Sequence, residues 1–379
     1  MKKIIIAPDS FKGSLTSTEV ANAIEEAIVK VYPNCETVKT PIADGGEGTM
    51  DTLVCALGGE KVNVNVHDPL MRPIEVEYGL VNEPKTAIIE MASASGITLL
   101  HKNEQNPSTT TTFGTGEIIK DALKRGCRSF LIGIGGSATN DAGTGMLRAL
   151  GYRFLDKNGK ETNGTGASLQ AICSIDCSAI LPELKESEFK IACDVNNPFS
   201  GENGAAYVYA PQKGASEQMI KELDEGMENF RKLIEAERKI DLNTIEGAGA
   251  AGGLGGGFVA FLNAELKSGI DMILEAVNFE KHLQDANLVI TGEGKLDKQT
   301  AMGKAASGIL DAASEHNVPV IAIGGSVEDI ETLNNRGFVS LFSIVPYPIS
   351  LDKAIEKNEA RKNIVQTTEQ IMRTIKQFR

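Results

Sequence analysis

Glycines and small polar residues follow an apolar run near the middle of the chain, in a pattern that suits the binding of a charged group. The apolar run 130–132 is typical of a buried parallel strand, and a helix is expected to start near Asn140 and Asp141. A glycine-rich turn between them presents backbone N–H groups with few side chains over them, which suits an anion, most often a phosphate. The candidate cofactor-binding residues here are Gly135, Gly136, Ser137, Thr139 and Asp141.

The same arrangement occurs at two further places in the chain. The segment 247–257, GAGAAGGLGGG, contains Gly252 and Gly253, and the segment 288–297 is a strand pattern that ends in glycines and in Asp297. A single glycine-rich loop is explained equally well by tight turning, but the repetition favours phosphate binding. We therefore expect Gly252 and Gly253 to bind the cofactor and Asp297 to act in catalysis.

Charged and hydroxyl side chains crowd the turn after the first predicted strand. The apolar run 3–7 predicts this strand, and Thr16 or Ser17 is expected to cap the helix that follows. Asp9 and Lys12 lie between the two elements. Ligands of α/β proteins bind at the C-terminal ends of strands, so Asp9 is a candidate for substrate binding and Lys12 for catalysis. The alternative is a solvated capping loop.

Carboxylates and amides follow two other predicted strands. One strand precedes Asp44 and Glu47 on a glycine turn. These two side chains could hold a hydrated Mg²⁺, which needs only one or two carboxylates, or could equally be acids at the start of a helix. The strand KIAC precedes Asp194 and Asn196, which suit a metal ion or the hydroxyl groups of a ligand.

Hydroxyl side chains cluster before the helix predicted at 116–125. Ser95 lies at the end of a strand pattern, and Thr112 belongs to a run of four threonines in the loop that follows. These hydroxyls could donate hydrogen bonds to an anionic substrate. Ordinary loop chemistry explains the threonines at least as well.

Strand and helix patterns predict two domains. Strands alternate with helices in 1–60 and again in 270–379, which is typical of a Rossmann-like doubly wound α/β domain. Between them, the stretches KVNVNVHD, IEVEYGLV and TAIIEMA alternate polar and apolar residues, which predicts an antiparallel meander. The residues 61–269 are therefore expected to form a second, mixed α/β domain inserted into the first.

Composition excludes several classes of partner. The chain has 379 residues, with 38 basic and 51 acidic side chains and a net charge of -13, so nucleic acids and anionic membranes are not expected to bind. The chain shows neither an apolar stretch of membrane-spanning length nor a signal peptide, which predicts a cytoplasmic protein. The six cysteines lie in apolar surroundings and are expected to be buried, reduced thiols.

A nicotinamide-dependent oxidoreductase acting on a small hydroxy acid is an alternative from another enzyme class. Gly133, Gly135 and Ala138 satisfy the G-x-G-x-x-G/A pattern of dinucleotide-binding proteins, and Asp156 lies close to the spacing of a ribose-binding acid. Polar and acidic groups stand where the helix of that fold normally packs, which argues against it. A non-enzymatic sugar-acid binding protein is a second alternative, but it leaves the repeated glycine-rich turns unexplained.

Several long motifs together resemble the type I glycerate kinase family. They run in order from the first predicted strand to about residue 304: APDSFKGSLTS, PIADGGEGT, EMASASG, TTFGTGE, IGGSATNDAGTGM, ACDVNNP, PQKGA, GAGAAGGLG and TGEGKLDKQ. The resemblance implies transfer of the ATP γ-phosphoryl group to D-glycerate, with 2-phosphoglycerate favoured over 3-phosphoglycerate as product. It also implies two α/β domains with the active site in the cleft between them.

We expect phosphate contacts from Lys12 and from the backbone of 135–137, because phosphoryl transfer needs positioning, Mg²⁺ and donors to the transferred group. Asp194 is expected to be the general base or a metal ligand, with Asp297 as the rival base. Mg²⁺ would be held by Asp44 with Glu47, or by Asp297. The expected glycerate-binding residues are Asp9, Ser95, Thr112 and Asn196. A homodimer is possible. The chain contains neither a Walker A motif nor protein-kinase signatures, so another loop must bind ATP.

Overall fold

The computed structural model describes residues 1–40, 42, 49–302 and 305–378. The chain divides into two compact units. Unit 1 consists of Met1–Leu57 and Ile273–Arg379, and unit 2 is Gly58–Met272. The domain boundaries predicted from the sequence, after 60 and after 269, lie a few residues from these limits. Asp44 and Glu47, the predicted metal ligands, lie outside the described residues.

The strands and helices of the described residues alternate as expected of a mixed α/β protein. The strands are β1 Lys3–Pro8, β2 Glu36–Lys39, β3 Glu60–His67, β4 Pro73–Asn82, β5 Lys85–Glu90, β6 Ser129–Gly133, β7 Arg153–Leu155, β8 Ser174–Asp176, β9 Glu188–Ala192, β10 Glu265–Lys267, β11 Leu288–Leu296, β12 Val320–Val327 and β13 Ser340–Ser343. The α-helices are α1 Ser17–Val31, α2 Thr49–Ala56, α3 Ala92–Ser95, α4 Phe113–Lys124, α5 Thr144–Ala149, α6 Ala205–Tyr209, α7 Glu217–Arg238, α8 Ala250–Leu262, α9 Gly269–Ala276, α10 Phe279–Leu283, α11 Ala305–Glu315, α12 Ile330–Arg336, α13 Leu351–Ala354 and α14 Lys357–Gln377. Short 3₁₀ helices cover Ile97–Leu99, Gly166–Ala171, Pro182–Glu186, Pro211–Lys213, Leu242–Thr244 and Thr300–Met302.

Unit 1 is built on a parallel sheet whose strand order, within the described residues, is β13-β12-β11-β1-β2. Counted along the unit this is the order 2-1-3-4-5, one of the two common doubly wound orders, in which ligands bind where the order reverses. That point lies between β1 and β11, where Pro8 is in register with Gly292. Ile4, Ile6 and Ile290 are buried in the core of this sheet, as parallel strands covered on both faces require.

Helix α1 confirms the predicted N-terminal signal. Thr16 is the N-cap: its hydroxyl accepts a hydrogen bond from the Glu19 N–H, and the Glu19 carboxylate accepts one from the Thr16 N–H. This reciprocal pair satisfies two donors that a helix start leaves open. It fixes where the turn with Asp9 and Lys12 ends and the helix begins.

Unit 2 contains a mixed sheet in the order β10-β9-β6-β5-β4-β3 within the described residues, with a separate pair β7-β8. The predicted meander is confirmed, because β3, β4 and β5 pair in antiparallel fashion. Strands β5, β6, β9 and β10 are parallel, and their last residues Glu90, Gly133, Ala192 and Lys267 are in register. All four strands therefore end at one edge of the sheet.

Two sequence-based expectations about glycine-rich turns are wrong. The glycines after residue 291 do not form a turn, because β11 continues to Leu296 and Gly292 pairs with Ile323 of β12. A Cβ atom at Gly292 would lie 2.4 Å from the Ile323 carbonyl oxygen, so close approach of the strands explains that glycine. The helix expected near Asn140 starts only at Thr144, after Gly143 with a φ of 76°.

The cysteines of the described residues are free thiols, as predicted, but they are not all buried. Cys127 is buried, Cys35 and Cys193 are partly exposed, and Cys55, Cys173 and Cys177 are exposed. Cys173 and Cys177 flank the short strand β8, and neither is covered by the core. Within the described ranges, the structure contains no helix with the length and apolarity that crossing a bilayer requires.

Candidate active site

The strand ends of unit 2 bring several predicted site residues to one edge of its sheet. Ser95 follows β5 through α3, residues 134–137 follow β6, and Asp194 and Asn196 follow β9. The first two segments are joined directly. The Ala138 N–H donates to the Ser95 carbonyl and the Ile97 N–H donates to the Gly136 carbonyl, both at 2.9 Å. The Ser95 hydroxyl is fully buried and shares a 2.7 Å hydrogen bond with the Thr115 hydroxyl.

The segment 133–139, which consists of the last residue of β6 and the loop that follows, is called the phosphate-loop candidate below. Gly135 and Gly136 are exposed, and Gly136 has a φ of 73°, which favours glycine. A Cβ atom at Gly133 or Gly135 would meet nothing within 4 Å. Packing therefore does not explain the glycines at 133 and 135, and bare backbone of this kind suits an anionic ligand.

Asp141 lies beneath this loop and is fully buried. Its carboxylate accepts hydrogen bonds from the Thr112 N–H (2.7 Å) and hydroxyl (2.8 Å), and from the N–H groups of Gly143 (3.1 Å) and Gly145 (3.2 Å). Burial raises the pKa of Asp141, and these four hydrogen bonds act in the opposite direction. The side chain thus holds the turn that starts α5.

Three hydroxyls of the threonine run 109–112 donate hydrogen bonds within the protein, and the fourth, that of Thr111, is buried without a partner among the described residues. Thr109 donates to the Asn106 carbonyl, Thr110 donates to the Ala138 carbonyl at 2.8 Å, and Thr112 donates to Asp141. The run therefore lies along 138–141 and holds that segment. Of the two readings the sequence left open, these contacts agree with ordinary loop chemistry.

The second glycine-rich segment packs directly against the first. Ala251, Gly252 and Gly253, at the start of α8, have φ values of 53°, 70° and 85°. A Cβ atom at Gly252 would lie 2.1 Å from the Thr139 carbonyl oxygen, and one at Gly253 would lie 2.7 Å from the Met227 methyl group. Both glycines are buried, so backbone conformation and close packing account for them.

Lys213 is a candidate functional residue that the sequence reasoning missed. Its side chain is buried, and its ammonium donates to the Ser137 hydroxyl at 2.6 Å and to the Thr139 carbonyl at 2.7 Å. Desolvation lowers the pKa of Lys213 to about 7, while the nearby Asp141 charge raises it. The PQKGA motif was the available signal, but nothing in the local sequence indicates burial of its lysine.

The segment after β9 carries the predicted base. Asp194 is exposed, and one of its carboxylate oxygens accepts a 2.7 Å hydrogen bond from the Gly269 N–H at the start of α9. Asn196 is also exposed. The next residue, Asn197, accepts a hydrogen bond from the Tyr209 hydroxyl and donates one to the Asn203 carbonyl. The segment is therefore fixed at Asn197 while Asp194 and Asn196 face solvent.

Unit 1 contains a cavity of about 1030 Å³ at the C-terminal ends of β1 and β11. Three predicted residues, Asp9, Lys12 and Asp297, line it together with Glu293 and Lys295. The structure thus brings these three together from two distant parts of the chain. Apolar side chains from the segment 344–355 form another wall. The combination of an apolar wall with converging charged groups is typical of a site for a small organic ligand.

Hydrogen bonds fix the carboxylates of this cavity. The Asp9 carboxylate accepts a 2.6 Å hydrogen bond from the Ser10 N–H, and the Asp9 N–H donates to the Gly292 carbonyl. One oxygen of Asp297 accepts from the Gln299 N–H at 2.9 Å, and the other lies 3.5 Å from the Lys295 ammonium. Within the described residues, the structure shows no group of three or more His, Cys, Asp or Glu side chains that could hold a metal ion. Asp297 still fits Mg²⁺, which keeps several water ligands and needs one or two carboxylates.

The geometry gives no support to the dinucleotide-binding alternative. That motif requires a helix directly after the glycines, but the chain stays irregular from Ile134 until α5 starts at Thr144. Asp156, the expected ribose-binding acid, accepts hydrogen bonds from the N–H groups of Asn158 (2.8 Å) and Lys160 (2.9 Å). Its carboxylate therefore closes a local turn.

Known proteins match the chain over nearly its full length. The sequence matches the glycerate kinase family over residues 4–376. It is 46% identical to the glycerate kinase of Halalkalibacterium halodurans, with 95% of each chain covered, and 43% identical to the glycerate 2-kinase of Escherichia coli K12, with 98% of each covered. A crystal structure of a putative glycerate kinase 2 from Salmonella typhimurium LT2 has a TM-score of 0.90 and 41% identity, covering 99% of this chain and 98% of that one. The chain therefore belongs to the glycerate kinase family of phosphotransferases.

Proposed function

We propose that this protein transfers the γ-phosphoryl group of ATP to D-glycerate and that the product is 2-phosphoglycerate. The observation that carries the proposal is a glycine-rich segment at the end of a parallel strand, 133–137, in which Gly135 and Gly136 are exposed, in a chain that matches the glycerate kinase family over residues 4–376. The Escherichia coli relative is named a glycerate 2-kinase, which supports the 2-phospho product. We place the reaction in the cytoplasm, where ATP is available.

The phosphate-loop candidate binds phosphate oxygens through the N–H groups of Gly135, Gly136 and Ser137. The exposure of Gly135 and Gly136 and the positive φ of Gly136 support this role, and Ser137 follows them as a buried residue. Asp141 and Thr112, whose side chains are fully buried, act indirectly by holding the turn after the loop through their mutual hydrogen bonds. The Thr139 side chain is also fully buried, and this residue acts through its carbonyl, which accepts from Lys213. Gly252 and Gly253 serve the same end, because only glycine allows the close approach of position 252 to Thr139 and of position 253 to Met227 and Phe199.

In unit 1, Lys12 neutralises phosphate charge and Asp9 orients glycerate. Both line the cavity at the point where the strand order reverses. Asp297 provides a carboxylate oxygen for Mg²⁺, and the ion, when bound, neutralises charge on the phosphate oxygens. Glycerate carries a carboxylate, so a cation next to the carboxylates of this cavity is required to avoid repulsion.

In unit 2, Asp194 acts as the general base that accepts the proton of the attacking glycerate hydroxyl. The hydrogen bond from Gly269 fixes the orientation of its carboxylate, and its exposure makes it accessible to substrate. Asn196, two residues further on, offers an amide to the glycerate hydroxyls. Ser95 supports the loop through its carbonyl, which accepts from Ala138.

An enolase-coupled assay tests both the activity and the product. The protein is incubated with ATP, Mg²⁺ and D-glycerate, and ADP formation is measured beside a reaction without glycerate. Added enolase converts 2-phosphoglycerate directly to phosphoenolpyruvate, whereas 3-phosphoglycerate reacts only after a phosphoglycerate mutase is also added. We expect glycerate-dependent ADP and an enolase signal without mutase. Reduction of a nicotinamide cofactor by glycerate, with no ADP formed, would refute the proposal.

A further inference from the structure

Close packing next to Lys213 fixes the direction in which its side chain extends. It ends the 3₁₀ helix Pro211–Lys213, and the next residue, Gly214, has a φ of 92°. A Cβ atom at Gly214 would lie 2.3 Å from the Gln105 carbonyl oxygen, so only glycine fits there. The tight turn therefore fixes the backbone from which the Lys213 side chain extends into the protein.

The Lys213 ammonium lies against the buried side of the phosphate-loop candidate. Its side chain is 2% exposed, and it bonds to Ser137 and Thr139, which flank Ala138. Both acceptors are neutral, so these hydrogen bonds do not replace the hydration that a charged ammonium loses on burial. Asp141 is the nearby charged group, and its negative charge raises the pKa of Lys213. A buried cation with neutral hydrogen-bonding partners is unfavourable for folding, which points to a functional reason for it.

The effect of this ammonium on the loop is both geometric and electrostatic. Two hydrogen bonds at 2.6 and 2.7 Å fix residues 137 and 139, and the Gly136 carbonyl is fixed by the bond from the Ile97 N–H. The exposed backbone of Gly135 and Gly136 then lies on the opposite side of the loop from a positive charge. In a water-poor surrounding, such a charge increases the attraction of the loop for an anion.

We propose that Lys213 is a positioning residue that holds the phosphate-loop candidate in its anion-binding form and, when protonated, adds positive charge behind it. The proposal rests on the proposed function, because it takes the loop ligand to be the phosphate groups of ATP. Lys213 itself does not contact the ligand, since its ammonium is enclosed by the loop.

Substitution with binding measurements tests the proposal on the full chain. Lys213→Met keeps an unbranched, slightly shorter side chain without charge or donors, and Lys213→Gln keeps donors without charge. Lys185→Met is the matched control, because Lys185 also lies on a short 3₁₀ helix of unit 2 but is exposed. Isothermal titration calorimetry gives the dissociation constants of ATP and tripolyphosphate, and steady-state kinetics gives KM and kcat. Circular dichroism establishes that each variant is folded.

We expect Lys213→Met to raise the dissociation constants of ATP and tripolyphosphate at least tenfold and to raise KM for ATP similarly. KM for glycerate should stay within about twofold, Lys213→Gln should recover part of the loss, and Lys185→Met should match the wild type. A purely structural lysine would lower the melting temperature without this selective change in ATP binding.

Three results would overturn the proposal: folded Lys213→Met that binds ATP as Lys185→Met does, wild type that binds neither ATP nor tripolyphosphate, or failure of both Lys213 variants to fold. Wild type that binds ATP but forms no phosphoglycerate would remove the proposed function alone. In that case, comparison of the dissociation constants of ATP and tripolyphosphate between the Lys213 variants and Lys185→Met would still decide the role of Lys213.

Discussion

The Ala142 N–H donates a 3.0 Å hydrogen bond to the Gly252 carbonyl and thereby joins two glycine-rich segments of unit 2. The contact is tight on both sides, because a Cβ atom at Gly257 would also lie 2.5 Å from the Ala142 carbonyl oxygen. The segment 133–139 presents exposed backbone at Gly135 and Gly136, and the segment 247–257 packs against it with buried glycines. The first motif thus presents exposed backbone, and the second is its buried support.

Gly252→Val is expected to destabilise the protein strongly. The new side chain would start 2.1 Å from the Thr139 carbonyl oxygen and would need a φ of 70°. Strained backbone and overpacking each cost about 1–3 kcal/mol, so we expect a loss of about 3 kcal/mol or more. Chemical denaturation measures it. Gly133→Ala is the control, because its Cβ would meet nothing within 4 Å. Equal stability of both variants would contradict the supporting role of Gly252.

Asp141→Asn is expected to cost about 2 kcal/mol of folding free energy. Both oxygens of the carboxylate accept hydrogen bonds, three on Oδ2 and one on Oδ1. An amide replaces one of these oxygens by an NH₂ group, so at least one of the donor groups would face another donor. Asp156→Asn is the matched control, since a single oxygen of Asp156 accepts both turn hydrogen bonds and an amide oxygen can replace it. Urea denaturation at pH 7 compares the two. A smaller loss for Asp141→Asn than for Asp156→Asn would refute the structural role.

The stability difference between wild type and Lys213→Met should depend on pH. The pKa of Lys213 is lowered to about 7 in the folded protein, from 10.5, so the unfolded chain binds more protons between these values. Wild-type stability therefore gains up to about 1.4 kcal/mol per pH unit as the pH rises from about 7 towards 10. Asp141 is the charged group facing the ammonium, and its field opposes the lowering.

Lys213→Met should lack this gain, so its stability relative to wild type should be highest near pH 6–7 and should fall as the pH rises. Denaturation curves at pH 6.5, 8 and 9.5 measure the difference. Lys185→Met should show a difference that does not change over this range. A pH-independent difference for Lys213→Met would mean that the ammonium is not desolvated as the geometry indicates.

Asp194→Asn is expected to lower kcat at least 10²-fold, because removal of a general base usually costs that much. The amide oxygen can still accept the hydrogen bond from Gly269, so the fold should be retained. Asp297→Asn serves as the comparison, since Asp297 is assigned to Mg²⁺ and its loss should raise the Mg²⁺ concentration needed for half-maximal rate. Turnover of Asp194→Asn within about tenfold of wild type would exclude it as the base. A larger kcat loss in Asp297→Asn, unchanged by Mg²⁺, would assign the base to Asp297.

The sequence by itself determined the repeating elements, the strand-end positions of the polar residues and the family. Alternating residues predicted the antiparallel strands β3 to β5, and apolar runs predicted β1, β6 and β9, because these patterns depend on neighbouring residues only. The N-cap of α1 was narrowed to Thr16 or Ser17, and the structure identifies Thr16. The same local patterns predicted that Asp9, Lys12 and Asp297 would be candidates, and the cavity of unit 1 contains all three.

Only the tertiary structure decided which side chains are buried and what they contact. Lys213 and Ser137 are 76 positions apart, and Thr112 and Asp141 are 29 apart. No local pattern distinguishes a buried lysine from a solvated one, because desolvation arises from elements that pack together after the chain has folded. For the same reason, the sequence could not distinguish the exposed glycines at 135 and 136 from the supporting glycines at 252 and 253.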